Sequence, residues 1–126
     1  PRNVVETSSP MQVKNVKVVQ QAGDKEVYVD FELHNVDPEQ RQSRGYIVVL
    51  AKTEDLLMSY PDKAFNPAQN IVLDFTKGET FGVSRFRQAR ATFAAAPLQG
   101  KDVKFQVLLF STDGKVIADL HVEGAR

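Results

Sequence analysis

A strict two-residue alternation in residues 25–36, KEVYVDFELHNV, limits the fold of this chain more than any other feature. The odd-numbered positions from Val27 to Leu33 are apolar, whereas the even-numbered positions from Tyr28 to His34 are polar or aromatic. Successive side chains of a β-strand point to opposite faces of its sheet. The pattern therefore predicts a strand with one buried face.

Most other segments of the chain also have strand patterns. MQVKNVKVVQQ alternates with a change of parity near Asn15, which predicts a β-bulge or a strand that is partly covered on both faces. Gly23 then predicts a hairpin to the next strand. YIVVLAKT is apolar on both faces, as in a central strand. VKFQVLLFS and KVIADLHV flank STDGK, whose Asp-Gly pair indicates a second hairpin. We also expect a short strand in NIVLDF, with Ile71, Leu73 and Phe75 inward, and one helical turn at residues 55–58.

These segments together predict an all-β fold, an antiparallel β-sandwich of about seven to nine strands. The closing strand is expected to bury its even-numbered residues, from Val116 to Val122. The predicted core comprises Val29, Phe31, Val48, Leu50, Phe105, Val107 and Leu120. The polar opening PRNVVETSSP predicts a linker over residues 1–10, followed by one domain over residues 11–126. Because the chain begins with Pro1, we expect it to be the C-terminal part of a longer protein.

The stretch SRFRQARATF, residues 84–93, fits neither a helical nor a strand period cleanly. Its neighbours favour a long bent strand or a pair of strands. A strand would place Arg85 and Arg87 on one face and Arg90 on the other. These arginines, with Phe86, form a candidate cationic surface for an acidic group or partner. The alternative is a solvated strand surface, on which the arginine stems cover apolar neighbours.

Catalytic and metal-binding patterns are scarce in this sequence. The chain has no cysteine and two histidines, His34 and His121, and no nucleophile or metal-ligand motif accompanies either histidine. We therefore predict a protein that is not an enzyme and uses no metal or cofactor. Sixteen basic residues balance sixteen acidic residues, so we also predict no nucleic-acid binding.

The connection over residues 56–67 carries two aromatic residues, Tyr60 and Phe65, between prolines. Aromatic side chains in such a loop could form a platform for a small ligand or a carbohydrate, or they could pack beneath the loop as a small satellite core. The absence of tryptophan argues against a sugar platform.

Four segments in order, VYVDFELHN, GYIVVLAK, GETFGVSRFRQARATF and KDVKFQVLLFSTDGKVI, resemble strands of immunoglobulin-like or fibronectin-III-like domains of bacterial cell envelopes. Such domains follow a single transmembrane helix. The resemblance implies a periplasmic or envelope location, a parent protein anchored upstream, and a non-catalytic interaction or assembly module. Its partner would be another protein or a second copy. The alternative is a small-ligand or carbohydrate-binding domain that uses the 56–67 loop.

Overall fold

Alternating apolar residues build eight strands in the part of the chain that the computed structural model describes, residues 11–20, 23–65 and 73–124. The strands are β1 (Met11–Val19), β2 (Glu26–Asn35), β3 (Ser43–Lys52), β4 (Leu57–Tyr60), β5 (Glu79–Val83), β6 (Phe86–Ala94), β7 (Lys104–Ser111) and β8 (Val116–Glu123). Among the same residues, three short 3₁₀ helices lie at Asp62–Ala64, Phe75–Lys77 and Ala96–Leu98. The predicted all-β fold is confirmed. The predicted linker, residues 1–10, lies outside the described residues.

The strands form two antiparallel sheets. The first sheet has the order β1-β2-β6, and the second has the order β4-β3-β7-β8. β5 pairs with residues 43–47 of β3, and β4 pairs with residues 49–52 of the same strand. Because β7 occupies the other side of β3, β4 and β5 follow one another along one edge of the second sheet.

The main core lies between the two sheets. From the first sheet it takes the alternating residues of β2 predicted from the sequence, with Ala91 and Phe93 of β6. From the second sheet it takes mainly the odd-numbered residues of β3 and β7, including Phe105 and Val107. A second cluster, around Val48, Leu50, Leu108 and Phe110, lies on the outer face of the second sheet. Val48 and Leu50 are therefore buried as predicted, but beneath the β4–β5 connection rather than between the sheets.

The closing strand departs from its prediction. Leu120 is 36% exposed and Val116 is 44% exposed, so the prediction that β8 buries its even-numbered residues is wrong for both. Leu120 is exposed because β8 is the outermost strand of the second sheet, and the three-stranded sheet opposite covers it only in part. Val116 is exposed because the register with β7 shifts before it, so that Val116 pairs with Phe110 and lies on the outer face of the second sheet.

Two local predictions between β3 and β5 are also wrong. Residues 55–58 do not form a helical turn, because Leu57 and Met58 begin β4 after a tight turn in which Thr53 N–H donates to the Leu56 carbonyl at 2.8 Å. Phe75 begins a 3₁₀ helix rather than ending a strand, and Asp74 caps this helix by accepting from Thr76 N–H. Ile71 lies outside the described residues.

The irregular positions predicted in the hairpins are confirmed. The β1–β2 register shifts between Lys14 and Lys17, and Asn15 has a φ of 56° within this bulge. The β7–β8 hairpin turns at Gly114, whose φ of 93° lies in the left-handed region that favours glycine.

Candidate functional site

The arginine-rich stretch over residues 84–93 lies where the chain crosses from one sheet to the other. β5 belongs to the second sheet and ends at Val83, and β6 belongs to the first sheet and begins at Phe86. Of the two predicted arrangements, one long bent strand or two strands, the structure therefore has the second. Arg85 lies in the bend between the two strands, so it does not share a strand face with Arg87 as predicted.

Arg90 is held on the outer face of the first sheet. Its Nε and Nη2 atoms donate to the two carboxylate oxygens of Asp30 at 2.6 and 2.9 Å. Its guanidinium also lies 4.4 Å from the centre of the Tyr28 ring, a cation–π contact. The hydrogen bond from Arg90 lowers the pKa of the Asp30 carboxyl. Arg90 is therefore already paired with groups of its own sheet.

Arg87 joins a network that connects the edges of the two sheets. It forms an ion pair with Glu79 of β5, and its Nη1 donates to the Thr80 carbonyl at 3.0 Å. The other oxygen of the Glu79 carboxylate accepts a hydrogen bond from the Tyr60 hydroxyl at 2.7 Å. We call Arg87, Glu79 and Tyr60 the edge clamp, because they tie β6 of the first sheet to β4 and β5 of the second. Two predicted site residues, Tyr60 and Arg87, are thus brought together by their bonds to one carboxylate.

The edge clamp makes the stability of the fold sensitive to high pH. Burial, followed by the hydrogen bond to Glu79, raises the pKa of Tyr60 from 10.0 to about 12. The neutral phenol is favoured in the folded chain, so its contribution is complete below about pH 10 and is lost as the pH rises towards 12. We expect urea unfolding midpoints of the wild type to fall more between pH 9 and pH 11 than those of Tyr60→Phe. An equal fall in both proteins would contradict this role of Tyr60.

The aromatic residues of the 56–67 loop are partly buried. Tyr60 packs against the main core, and Phe65 follows the 3₁₀ helix that contains the buried Ala64. Asp74 N–H donates to the Ala64 carbonyl at 2.7 Å, which fixes the end of this helix to the chain before β5. For Tyr60, these contacts agree with packing beneath the loop.

Arg85 and Phe86 instead contribute to an exposed surface at one end of the sandwich. Phe86 is 51% exposed, and its ring meets the His34 ring edge-on at 5.0 Å. Val36, two residues beyond His34, is 49% exposed. We call Val36, Arg85 and Phe86 the terminal patch. Val36 was not among the site residues predicted from the sequence.

The arginine of the terminal patch has an uncharged partner. Arg85 Nε donates to the Gln40 side-chain oxygen at 3.2 Å. Within the described residues Arg85 forms no ion pair, in contrast to Arg87 and Arg90. A guanidinium has five N–H donors, so Arg85 keeps donors for a carboxylate from outside the chain.

The Asn35 side chain and the buried Asp37 carboxylate hold the loop beside the terminal patch in one conformation. The Asn35 side chain donates to the carbonyls of Arg41 and Val83, each at 2.8 Å. The Asp37 carboxylate is 8% exposed and accepts from Glu39 N–H at 2.9 Å and from Arg41 Nε at 2.8 Å. The hydrogen bond from Arg41 lowers the pKa of the Asp37 carboxyl. The loop is therefore ordered before any partner arrives, which reduces the entropy cost of binding.

A cavity of about 320 Å³ lies at the opposite end of the sandwich. Its apolar lining comes from both sheets and from the segment after β6: Val18, Val27, Leu98, Val103 and Phe105. Lys101 and Gln99 are among its polar lining residues. The cavity and the terminal patch are separated by the length of β2, which runs from Glu26 at the cavity end to Asn35 at the patch end.

Each of the two histidines lies beside one carboxylate, and the two sites are separate. His34 Nε2 is 2.9 Å from Glu32 Oε1, and His121 Nε2 is 3.2 Å from Asp119 Oδ1. Among the residues that the structure describes, no group of three or more histidine and acidic side chains is placed to hold a metal ion. No helix in this part of the chain has the length and apolar character needed to cross a membrane.

Comparisons with known protein families, curated proteins and solved structures gave no significant match to this chain. We therefore infer the function of the domain from the residues exposed on its surface.

Proposed function

We propose that this domain is a non-catalytic protein-interaction module and that its terminal patch binds an acidic segment of a partner protein. The observation that carries the proposal is the coincidence of two half-exposed apolar side chains, Val36 and Phe86, with Arg85, which has no acidic partner in the described chain. Aromatic residues and arginine are the types enriched at the centres of protein interfaces.

The chemistry of the terminal patch specifies the partner. Phe86 and Val36 offer apolar area to an apolar side chain, and the forked guanidinium group of Arg85 favours a carboxylate. A segment with an apolar residue flanked by Asp or Glu would satisfy both. Because the charged groups are exposed, binding should weaken as salt rises.

A displayed library of random peptides, selected on the immobilised wild-type domain, tests the proposal. We expect enriched sequences to carry acidic residues beside an apolar one. The double variant Arg85→Ala, Phe86→Ala should lower their affinity about tenfold or more while leaving the melting temperature nearly unchanged, since both residues are exposed.

The matched control is Tyr28→Ala, Arg90→Ala, which removes the same classes of side chain from the outer face of the first sheet. This control should bind the selected peptides like the wild type. The proposal fails if the control loses as much affinity as the patch variant, or if the enriched peptides lack acidic residues.

We propose further that the domain is immunoglobulin-like and that it works in the cell envelope. The strand order supports the fold assignment: with β1, β2 and β6 as strands A, B and E, and β3, β7 and β8 as C, F and G, the two sheets match those of an immunoglobulin sandwich. The difference is β5, which pairs with β3 instead of joining the first sheet. The envelope location rests on the resemblance of the strand segments.

A second candidate function is the binding of a small apolar ligand in the cavity at the opposite end. Its volume and its lining from both sheets favour this reading. It would use Leu98 and Phe105 rather than the 56–67 loop. A ligand there would raise the melting temperature of the wild type, and Leu98→Trp would reduce that rise by filling the cavity.

A further inference from the structure

β8 is a free edge of the second sheet. It follows β7 at the end of the order β4-β3-β7-β8, and two of its large apolar side chains, Val116 and Leu120, are exposed. An edge strand presents unpaired backbone N–H and C=O groups to which another strand can bond. Residues 118–123 of β8 pair with residues 104–109 of β7 without interruption, so this stretch of the edge is regular.

The other edges in the described part of the chain are blocked. β1 is interrupted by its bulge at Asn15, where the register with β2 shifts. The edge clamp ties β6 to β4 and β5, and these last two strands have four and five residues. Bulges, short strands and covered edges are the usual means of preventing edge-to-edge pairing. Residues 118–123 of β8 contain no bulge, and β8 approaches β1 of the first sheet without pairing with it in the described chain.

The hydrogen-bonding phase of β8 determines which residues face the free edge. Gly124 N–H donates to the Val103 carbonyl on the β7 side at 2.8 Å. In an antiparallel pair the bonded positions alternate, so Ala118, Leu120 and Val122 also bond towards β7. Asp119 and His121 therefore direct their backbone groups towards the free edge.

Charge selects one of the three registers centred on Asp119, Leu120 or His121 when β8 pairs with β8 of a second copy. With Leu120 opposite Leu120 of the other copy, Asp119 of each chain faces His121 of the other. A shift of two residues in one direction places Asp119 opposite Asp119, and a shift in the other direction places it opposite Glu123. Like charges directly opposite are unfavourable in a sheet, whereas an acidic residue opposite a histidine is tolerated or favourable.

We infer that this protein forms a symmetric homodimer in which β8 of two copies pairs antiparallel, with Leu120 on the two-fold axis. The interface is isologous, because the same strand supplies both sides and Asp119–His121 contacts occur twice. The sheet then continues across two molecules, and Leu120 loses its exposure. The terminal patch is not part of this interface, so the dimer would carry two patches.

Disulfide trapping tests this register directly, because the natural chain contains no cysteine. In the dimer Leu120 occupies a non-hydrogen-bonded pair with a Cα–Cα distance of about 4.5 Å, within the range of a disulfide. Leu120→Cys should therefore form a covalent dimer on mild oxidation. Val116→Cys is the matched control: it is an exposed apolar position on the same strand, but its two copies would be about 27 Å apart.

Sedimentation of the uncross-linked protein provides the second measurement. The wild type should show twice the monomer mass as its concentration is raised to about 1 mM, the range of a weak edge contact. Leu120→Lys should remain monomeric with a folded circular dichroism spectrum. We expect Leu120→Cys to cross-link at least about tenfold faster than Val116→Cys, since pairing raises the local thiol concentration. A wild type that stays monomeric, a dimeric Leu120→Lys, or equal rates for the two cysteine variants would overturn the proposal.

Discussion

Replacing Phe105 by alanine is expected to lower the free energy of unfolding by about 3 to 5 kcal/mol. Phe105 is 2% exposed and lies between the sheets, where its ring centre is 5.6 Å from that of Phe93. Truncation removes apolar contacts with both sheets and enlarges the neighbouring cavity. Urea unfolding followed by circular dichroism measures the loss. If the alanine variant does not fold, Phe105→Leu should still fold with a smaller loss.

The control for this change is Phe86→Ala. It removes the same side chain from a position that is 51% exposed, and it should cost less than about 1 kcal/mol. Similar losses for the two variants would contradict the placement of Phe105 in the main core.

Gly45→Ala is expected to be at least as damaging, with a loss of about 3 kcal/mol or more. A Cβ at Gly45 would lie 1.9 Å from the Phe110 carbonyl oxygen and 3.1 Å from the Phe81 ring. Gly45 pairs with β5 on one side and with β7 on the other, so neither neighbour can move away without breaking backbone hydrogen bonds. Thermal unfolding should show a large fall in the melting temperature.

Gly82→Ala provides the matched control within the same sheet. A Cβ there would lie 3.2 Å from the end of the Gln42 side chain, which can rotate away. Its effect should stay within about 1 kcal/mol in either direction. If Gly45→Ala were as stable as Gly82→Ala, the close approach of β3 to the Phe110 carbonyl would be wrong.

The alternation of residues predicted the buried face of a strand correctly where the strand has a neighbour on each of its two edges. β2 lies between β1 and β6, so its odd-numbered residues are covered and its even-numbered residues face outward. The same alternation misled at Leu120, because a period of two shows which face a residue shares and not whether the opposite sheet reaches it. Strand order decides that coverage, and strand order depends on contacts between distant parts of the chain.

The candidate site was predictable only in part for a related reason. Arg85, Arg87 and Arg90 are neighbours in sequence, but the crossing between sheets at Ser84 and Arg85 separates their environments. Arg87 forms an ion pair with a carboxylate of β5, and Arg90 forms one with a carboxylate of β2. The local sequence around the arginines does not predict either partner. The terminal patch combines Arg85 and Phe86 with Val36, about fifty residues earlier. Only the pairing of β2 with β6, His34 opposite Phe86, brings them to one end.

Nuclear magnetic resonance mapping of a selected peptide on the ¹⁵N-labelled domain tests the central claim most directly. We expect backbone amide shifts to change at residues 34–41 and 84–87, around the terminal patch, and we expect these changes to diminish in high salt. Shifts confined to residues 98–105, around the cavity, or to residues 116–123 of β8 would contradict the assignment of the terminal patch as the binding surface.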